Sequence, residues 1–497
     1  MLKTLPVLLL SLLGSSTPKS VLLIIADDLG INALQAYNLR DDPVSFPFPN
    51  TPNIDFLINN GILFNNFYSY PICSSARASI QTGIGTAVTS NTTTIINLPI
   101  TETIIPEVLD LNPQLHYNHA LIGKWHLSSI YNINDPNNYG YNFFSGTMAN
   151  IENYCAWNKI TNGQQIQNYN VYATTDNIND AINWISNQDN NWFLTLAFNA
   201  PHSPYHIPPS SDMCVSVDNG NFMQEFNLMI EKMDYEIGRL LSYINLDETT
   251  IIFIGDNGSA QEATVSPFDS NKSKGTMYEG GIRAPLIVSG NQVVNPGRES
   301  NILVNSVDLF STSLELMGVN VPMTLPCSIL DSQSFLPEIK DQPFSSRTYV
   351  ISERFDNGHP ENADFCIRDN TGYKFIHLKS GTEKFYNLNA DPYEHDDLLL
   401  TGVLRNSSLN KMNELKDIIM SLRDSGNESS CSVCNNNSDC GENRWCNSSL
   451  HVCVDSECLF DKDCLGESNG NQTRILRRRG CCFSDGTCHY GSVCNLK

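Results

Sequence analysis

The sequence predicts an α/β protein, a mixed sheet sandwiched by helices, followed by a smaller α+β domain and a disulfide-rich tail. Three observations carry this expectation. Residues 21–26, 192–198 and 250–254 are short, nearly unbroken aliphatic runs, the pattern of strands buried on both faces. Segments with helical spacing lie between them, notably 176–186 and 222–244, which places helices over the sheet. From about Arg347 the texture changes to short strand-like runs at 349–353, 366–368, 373–378 and 384–387, and a helical segment follows at 410–423.

At 497 residues the chain exceeds what one compact core organises, so more than one domain is expected. The predicted division is a signal peptide at 1–16, a catalytic domain at 20–345, the smaller α+β domain at 346–425 and a cysteine-rich module at 426–497. The signal peptide is read from Lys3, the apolar run 5–13 and the small residues Gly14, Ser15 and Ser16. That run is shorter than the roughly 20 apolar residues a membrane span needs, and no later run qualifies. The expectation is a secretory-pathway protein without a membrane span, destined for the extracellular space or a lysosomal lumen.

Cysteine usage agrees. Of 16 cysteines, Cys73, Cys155, Cys214, Cys327 and Cys366 are scattered and the other eleven fall between Cys431 and Cys494. The tail carries little apolar bulk, so disulfides would replace a core there, which requires an oxidising compartment. Zinc ligation is the rival for the Cys431/Cys434 pair, and irregular spacing together with secretion speaks against it. Acceptor sequons at Asn91, Asn271, Asn406, Asn427, Asn436, Asn447 and Asn471 fit a glycoprotein.

The formal charge is −23, which disfavours nucleic acid as a partner because two polyanions repel. An anionic substrate would therefore need cations gathered locally against the field of the whole protein. The aliphatic run 21–26 ends in Asp27-Asp28-Leu29-Gly30, and the run 250–254 ends in Gly255-Asp256-Asn257-Gly258. Asp27, Asp28, Asp256 and Asn257 thus offer four hard oxygen donors at strand ends, a set that favours calcium or magnesium over zinc. Each Asp could instead cap a following helix, but two pairs at matching strand ends weaken that alternative.

Cys73 opens a run of small residues leading into a helix, with Arg77 four positions on. That setting would lower a thiol pKa, although from this segment alone a buried structural cysteine is the better reading. The cations lie in Gly123-Lys124-Trp125-His126-Leu127, Pro201-His202-Ser203-Pro204 and Lys274-Gly275, the last followed by Glu279-Gly280-Gly281-Ile282-Arg283. Lys124 and His126 are expected to share one face of an extended segment.

In order along the chain, D-D-x-G, C-x-x-x-R-A-S-x-x-T-G, G-K-W-H-L, P-H-x-P, G-D-N-G and K-G-x-x-x-E-G-G-x-R resemble the sulfatase family of the alkaline phosphatase superfamily. Thr51-Pro52-Asn53-Ile54-Asp55, Phe385-Tyr386-Asn387-Leu388 and Asp391-Pro392 also resemble sulfatase segments, so the likeness spans roughly residues 20–400 and omits the tail. The resemblance implies an alkaline-phosphatase-like sheet and an arylsulfatase-like hydrolase of sulfate esters.

It further implies that Cys73 is converted to formylglycine by a formylglycine-generating enzyme. One hydroxyl of the aldehyde hydrate attacks sulfur and the other later expels sulfate. One calcium ion would be held by Asp27, Asp28, residue 73, Asp256 and Asn257. Arg77 and Lys124 would hold the modified side chain, with Lys124 and Lys274 neutralising charge on the sulfuryl oxygens. His126 would accept a proton from the spare hydroxyl, and either His202 or Lys274 would protonate the leaving alcohol.

One position departs from the family pattern. Sulfatases show Cys-x-Pro-x-Arg or Cys-x-Ala-x-Arg, and this chain has Ser75 at the middle position. Two other functions compete: a phosphatase or phosphodiesterase on the same fold, and an inactive sulfatase-like protein that retains sulfated glycans. The first normally needs more metal-binding His and Asp residues and a Ser or Thr nucleophile. Ser75 alone supports the second.

Overall fold

The computed structural model describes residues 20–425 except 86–89, 93–94, 211–213, 216, 326–329, 357–358 and 401–404, together with four short strands beyond residue 440. The expected signal peptide, Cys327 and most of the cysteine-rich module lie outside the described residues.

Ten strands form one mixed sheet: β1 (Ser20–Ala26), β2 (Gly61–Phe64), β3 (Asn118–Lys124), β4 (Phe143–Thr147), β5 (Trp157–Thr161), β6 (Gln164–Tyr169), β7 (Trp192–Ala197), β8 (Thr249–Gly255), β9 (Leu286–Gly290) and β10 (Arg298–Ser300). Their order across the sheet is β10-β2-β9-β8-β1-β7-β3-β4-β5-β6. The central strands β8, β1, β7 and β3 run parallel, with Ala26 beside Gly255 and Ile25 beside Ala197, so their carboxyl ends emerge along one rim. The three aliphatic runs expected from sequence are β1, β7 and β8.

Strand β1 shows why those runs contain no polar alternation. Val21, Leu23 and Ile25 enter one apolar core, while Leu22, Ile24 and Ala26 enter a second core on the opposite face. With both faces covered, every position must be apolar. Helices α1 (Cys73–Thr82) and α4 (Asp308–Leu316) cover the first face through Ile80, Leu309 and Phe310. Helices α2 (Ala173–Ile185) and α3 (Phe222–Leu241) cover the second through Ile178, Met229 and Ile237. Both helices predicted there are present.

Strand β3 carries a glycine for a steric reason. Gly123 has φ +104°, and a Cβ on it would lie 1.9 Å from the carbonyl oxygen of Ala197 in β7. Lys124, next in the chain, is thereby brought to the rim with its side chain fully buried. The T-P-N-I-D segment is also structural: Asp234 of α3 accepts from the backbone N–H groups of Asn53 and Ile54, capping the helix Pro52–Asn59 from across the fold.

The C-terminal part forms an antiparallel sheet of β11 (Tyr349–Asp356), β12 (His359–Asp369), β13 (Tyr373–His377) and β14 (Glu383–Asn387). Phe365, Ile367, Phe375 and Phe385 pack beneath α5 (Asn406–Ser425) through Met412, Leu415 and Ile419. The alternate residues Val350, Cys366, Ile376 and Tyr386 face the large unit and meet Tyr68, Met277, Ile282 and Leu303. Lys374 is fully buried at that junction, 3.0 Å from Glu279 and 2.9 Å from Glu394.

Although burial opposes its charge, the two carboxylates hold the Lys374 ammonium well above its ordinary pKa. Replacing it with methionine would strip Glu394 of its ion-pair partner and leave Glu279 with the more distant Arg283, 3.7 Å away. We expect Lys374→Met to destabilise the protein by roughly 3–5 kcal/mol, read as a lowered urea midpoint. The doubly apolar Lys374→Met/Glu279→Leu is expected to recover part of that loss.

Candidate active site

Four strand ends and two loops converge on the rim. Asp27 and Asp28 follow β1, Asp256 and Asn257 follow β8, Lys124 ends β3, and His202 lies on the turn after β7. Asp28 has φ +66°, and its backbone N–H donates to Asp256 Oδ1 at 3.0 Å. Cys73 is the first residue of α1 and Arg77 lies one turn further along.

Arg77 organises the floor. Its Nε and Nη2 donate to Asp256 Oδ2 at 3.2 and 2.9 Å, and its Nη1 donates to the Lys124 carbonyl at 2.9 Å. The planar guanidinium is satisfied in three directions, which lysine could not reproduce. Lys124 Nζ donates to Asp27 Oδ2, and Lys274 Nζ donates to Asp28 Oδ2 at 2.7 Å. His202 Nε2 stands 3.7 Å from Asp28 Oδ2. The Cys73 thiol is 3.9 Å from Asp28 Oδ1, which also accepts from Asn257 Nδ2 at 2.8 Å.

The structure therefore brings together the residues that sequence singled out, in a layer that is almost wholly buried. Burial opposes ionisation of Asp27, but Lys124 and Arg77 outweigh it and hold the carboxyl well below its usual range. Asp256 is pushed up to about 7 by burial and by the neighbouring Asp27 charge. Burial, Lys124 and Arg77 all press the His126 imidazole well below its usual pKa, so it is neutral and able to accept a proton.

Two expectations need correction. The helix N-terminus and Arg77 were expected to lower the Cys73 pKa, yet it is pushed up to about 12, first by burial and then by Asp27. Lys124 and His126 were expected to share one face of an extended segment. In fact β3 stops at Lys124, and His126 sits in a turn with φ +57°, its N–H bonded to the Met148 carbonyl.

A divalent cation is consistent with the donor set. The Oδ1 atoms of Asp27 and Asn257 are buried and have no hydrogen-bond partner among the described residues, although both are acceptors. One ligand atom each from Asp27, Cys73 and Asp256, and likewise from Asp28, Cys73 and His202, lie within 4.8 Å of one another. Three carboxylates, Asp27, Asp28 and Asp256, face three cations, Arg77, Lys124 and Lys274. Adding a doubly charged ion would leave the centre net positive inside an acidic protein.

Residues 19–319 match the sequence model of the Sulfatase family. The chain belongs to the sulfatase family. Residues 270–423 also match the C-terminal region described for N-sulphoglucosamine sulphohydrolase. The chain is 26% identical over 342 residues to the uncharacterized sulfatase YdeN of Escherichia coli (strain K12), covering 61% of this chain and 60% of that protein. It is 27% identical over 371 residues to the N-acetylgalactosamine-6-sulfatase of Homo sapiens, covering 66% of each. The chain thus spans somewhat less than two thirds of the length of these relatives.

Among solved structures it is similar to Ps i-CgsB in complex with k-i-k-neocarrahexaose, with a TM-score of 0.67 and 22% identity, covering 82% of this chain and 93% of that one. That likeness supports the fold, including the alkaline-phosphatase-like sheet implied by the sequence motifs.

Some supporting residues carried no sequence signal. The Tyr154 hydroxyl is 2.8 Å from the carbonyl of Asn199 and 2.7 Å from that of His202, fixing the turn that presents the imidazole. The Cys155–Cys214 disulfide ties the same segment to the chain beyond that turn. Neither Tyr154 nor Cys214 belongs to a recognisable motif.

Any Cys73 retained as a thiol is expected to resist alkylation in the native protein. At pH 8 its rate should lie on the order of a hundredfold or more below that of the same peptide unfolded, read by differential iodoacetamide labelling and peptide mass spectrometry.

Proposed function

We propose that this protein hydrolyses sulfate esters at the rim of the large sheet, with residue 73 as formylglycine and one calcium ion among Asp27, Asp28, residue 73, Asp256 and Asn257. The observation that carries the reading is the buried layer in which Cys73 lies among three carboxylates and three cations, with two acceptor oxygens unpartnered. Calcium would supply Lewis-acid polarisation of a sulfate oxygen. The aldehyde hydrate would supply a nucleophile that a thiol pushed up to about 12 does not provide.

The chain's own residues divide the remaining work. Arg77 holds Asp256 and the Lys124 carbonyl, fixing the floor beneath residue 73. Lys124 and Lys274 present positive charge where sulfuryl oxygens gather negative charge, in a site from which water is largely excluded. His126, kept neutral by burial, accepts the proton released when sulfate leaves.

His202 and Lys274 are both placed to protonate the leaving alcohol. Lys274 Nζ donates to Asp28 Oδ2 at 2.7 Å, and His202 Nε2 stands 3.7 Å from the same carboxylate. Both side chains are partly exposed, His202 to 14% and Lys274 to 21%. A sulfated saccharide is the favoured substrate class, because the human relative is named for one.

The Cys155–Cys214 disulfide supports a secretory route, since it needs an oxidising compartment. Among the described residues no helix is long and apolar enough to cross a membrane. The division into a catalytic domain at 20–345, an α+β domain at 346–425 and a cysteine-rich module at 426–497 belongs to this proposal, as do conversion by a formylglycine-generating enzyme and N-glycosylation. Asn271 and Asn406, two of the expected acceptors, are exposed.

Peptide mass spectrometry of secreted protein should find residue 73 lighter than cysteine, with turnover of p-nitrophenyl sulfate exceeding that of p-nitrophenyl phosphate. Unmodified thiol throughout the pool, or a preference for phosphate, would overturn the assignment.

Calcium is expected to stabilise the protein and raise its melting temperature in a concentration-dependent way, by roughly 2.7 kcal/mol at a hundred times Kd. Asn257→Leu should abolish most of that increment, as read by calorimetry with and without chelator. An unchanged melting temperature across the calcium titration of the wild-type protein would count against the metal.

A further inference from the structure

One polar group beside the centre has no task in the mechanism above. Tyr205 follows the P-H-x-P turn, three residues after His202, and its ring packs against Phe222 and Phe226 of α3 with centroids 6.3 and 5.8 Å away. Its hydroxyl is buried, yet it has no hydrogen-bond partner among the described residues. A buried phenol without a partner is uncommon, because losing its water is not offset by a bond within the protein. The aromatic neighbours fix the ring while leaving the hydroxyl unsatisfied.

The surroundings of that hydroxyl locate it. It lies within electrostatic reach of Asp28 and Asp27, the buried carboxylates of the centre, of Lys274, and of the exposed Glu262. Tyr205 therefore stands between the innermost layer and the surface, on the side of the site formed by the His202 turn and the Lys274 loop. Burial and the negative charges of Asp28 and Glu262 keep it protonated, so it is available to donate. The two candidate acids for the leaving alcohol, His202 and Lys274, belong to this same side.

We infer that Tyr205 is a specificity-determining residue whose hydroxyl hydrogen-bonds the leaving-group part of the substrate, selecting a hydroxylated leaving group such as a sugar over an aryl one. This rests on the sulfatase reading and adds the identity of the group that recognises the alcohol. A site that buries an unpaired donor favours the ligand that satisfies it and penalises an analogue lacking the acceptor. An aryl leaving group brings no sugar hydroxyl to the phenol.

Tyr205→Phe removes the donor and keeps the ring and its packing. The comparison is kcat/KM of wild-type and variant protein on p-nitrophenyl sulfate and on a panel of monosaccharide sulfates that includes N-acetylgalactosamine 6-sulfate. The ratio of the best sugar sulfate to the aryl sulfate is expected to fall about 10- to 100-fold in the variant. A merely structural role would depress both substrates together and leave the ratio unchanged, which overturns the inference. So does a wild-type protein that turns over the aryl ester and none of the sugar sulfates. If wild-type protein carrying formylglycine hydrolyses neither class, the sulfatase reading itself falls.

Discussion

The arrangement depends on the mutual neutralisation of three carboxylates and three cations in a layer that water barely reaches. Isolated there, any one of these charges would be costly enough to unfold or reprotonate the site. Together they form a chain of contacts from Lys124 through Asp27 and Arg77 to Asp256, and from Asp28 to Lys274. Only a sheet whose parallel strands end side by side can supply carboxylates from β1 and β8 at matching height, as the register of Ala26 with Gly255 does. The protein's excess of negative charge is offset locally by this placement of Arg77, Lys124 and Lys274.

The loop from Lys274 to Arg283 shows how one motif serves both chemistry and architecture. Lys274 reaches Asp28, while the Gly275 N–H donates to the Pro71 carbonyl just before the Cys73 helix, and the Gly275 carbonyl accepts from Arg354 of the C-terminal sheet. Five residues on, Glu279 meets Lys374 of that sheet, and Arg283 donates to the Asn65 carbonyl. Gly258 of the G-D-N-G turn packs so closely that a Cβ on it would lie 1.9 Å from the Gly280 carbonyl. The spacing of this motif is therefore set by contacts to five separate segments, and its acidic residue anchors the second sheet instead of entering the reaction.

What the sequence revealed follows from how locally each feature is encoded. The aliphatic runs of β1, β7 and β8 were legible because strands buried on both faces admit no polar residue, and their ends pointed to the donors that follow. The site residues were legible through motif order, since loops at strand ends keep fixed spacing to their strands. The Cys73 pKa was misjudged because Arg77 is visible four residues away, whereas burial and the Asp27 charge arrive through the fold. His126 was misplaced because a left-handed turn leaves no mark in G-K-W-H-L. Lys374 reads as one lysine in an ordinary strand, and only the docking of two sheets makes it a buried counter-ion.

The same distinction explains why the centre and its leaving-group side differ in how much the sequence discloses. Arg77, Lys124 and the carboxylates are each held by charged partners, so few substitutions preserve the layer. The wall beside His202 is held differently: the backbone is fixed by the Tyr154 hydroxyl and the Cys155–Cys214 link, and His202 is the residue of the turn that meets the ionic network, 3.7 Å from Asp28. A turn secured through its carbonyls can exchange the other residues it presents without disturbing the charged layer beneath. Substrate choice can then diverge by side-chain replacement on a fixed backbone while the chemistry stays intact, which places specificity in residues that motif reading passes over.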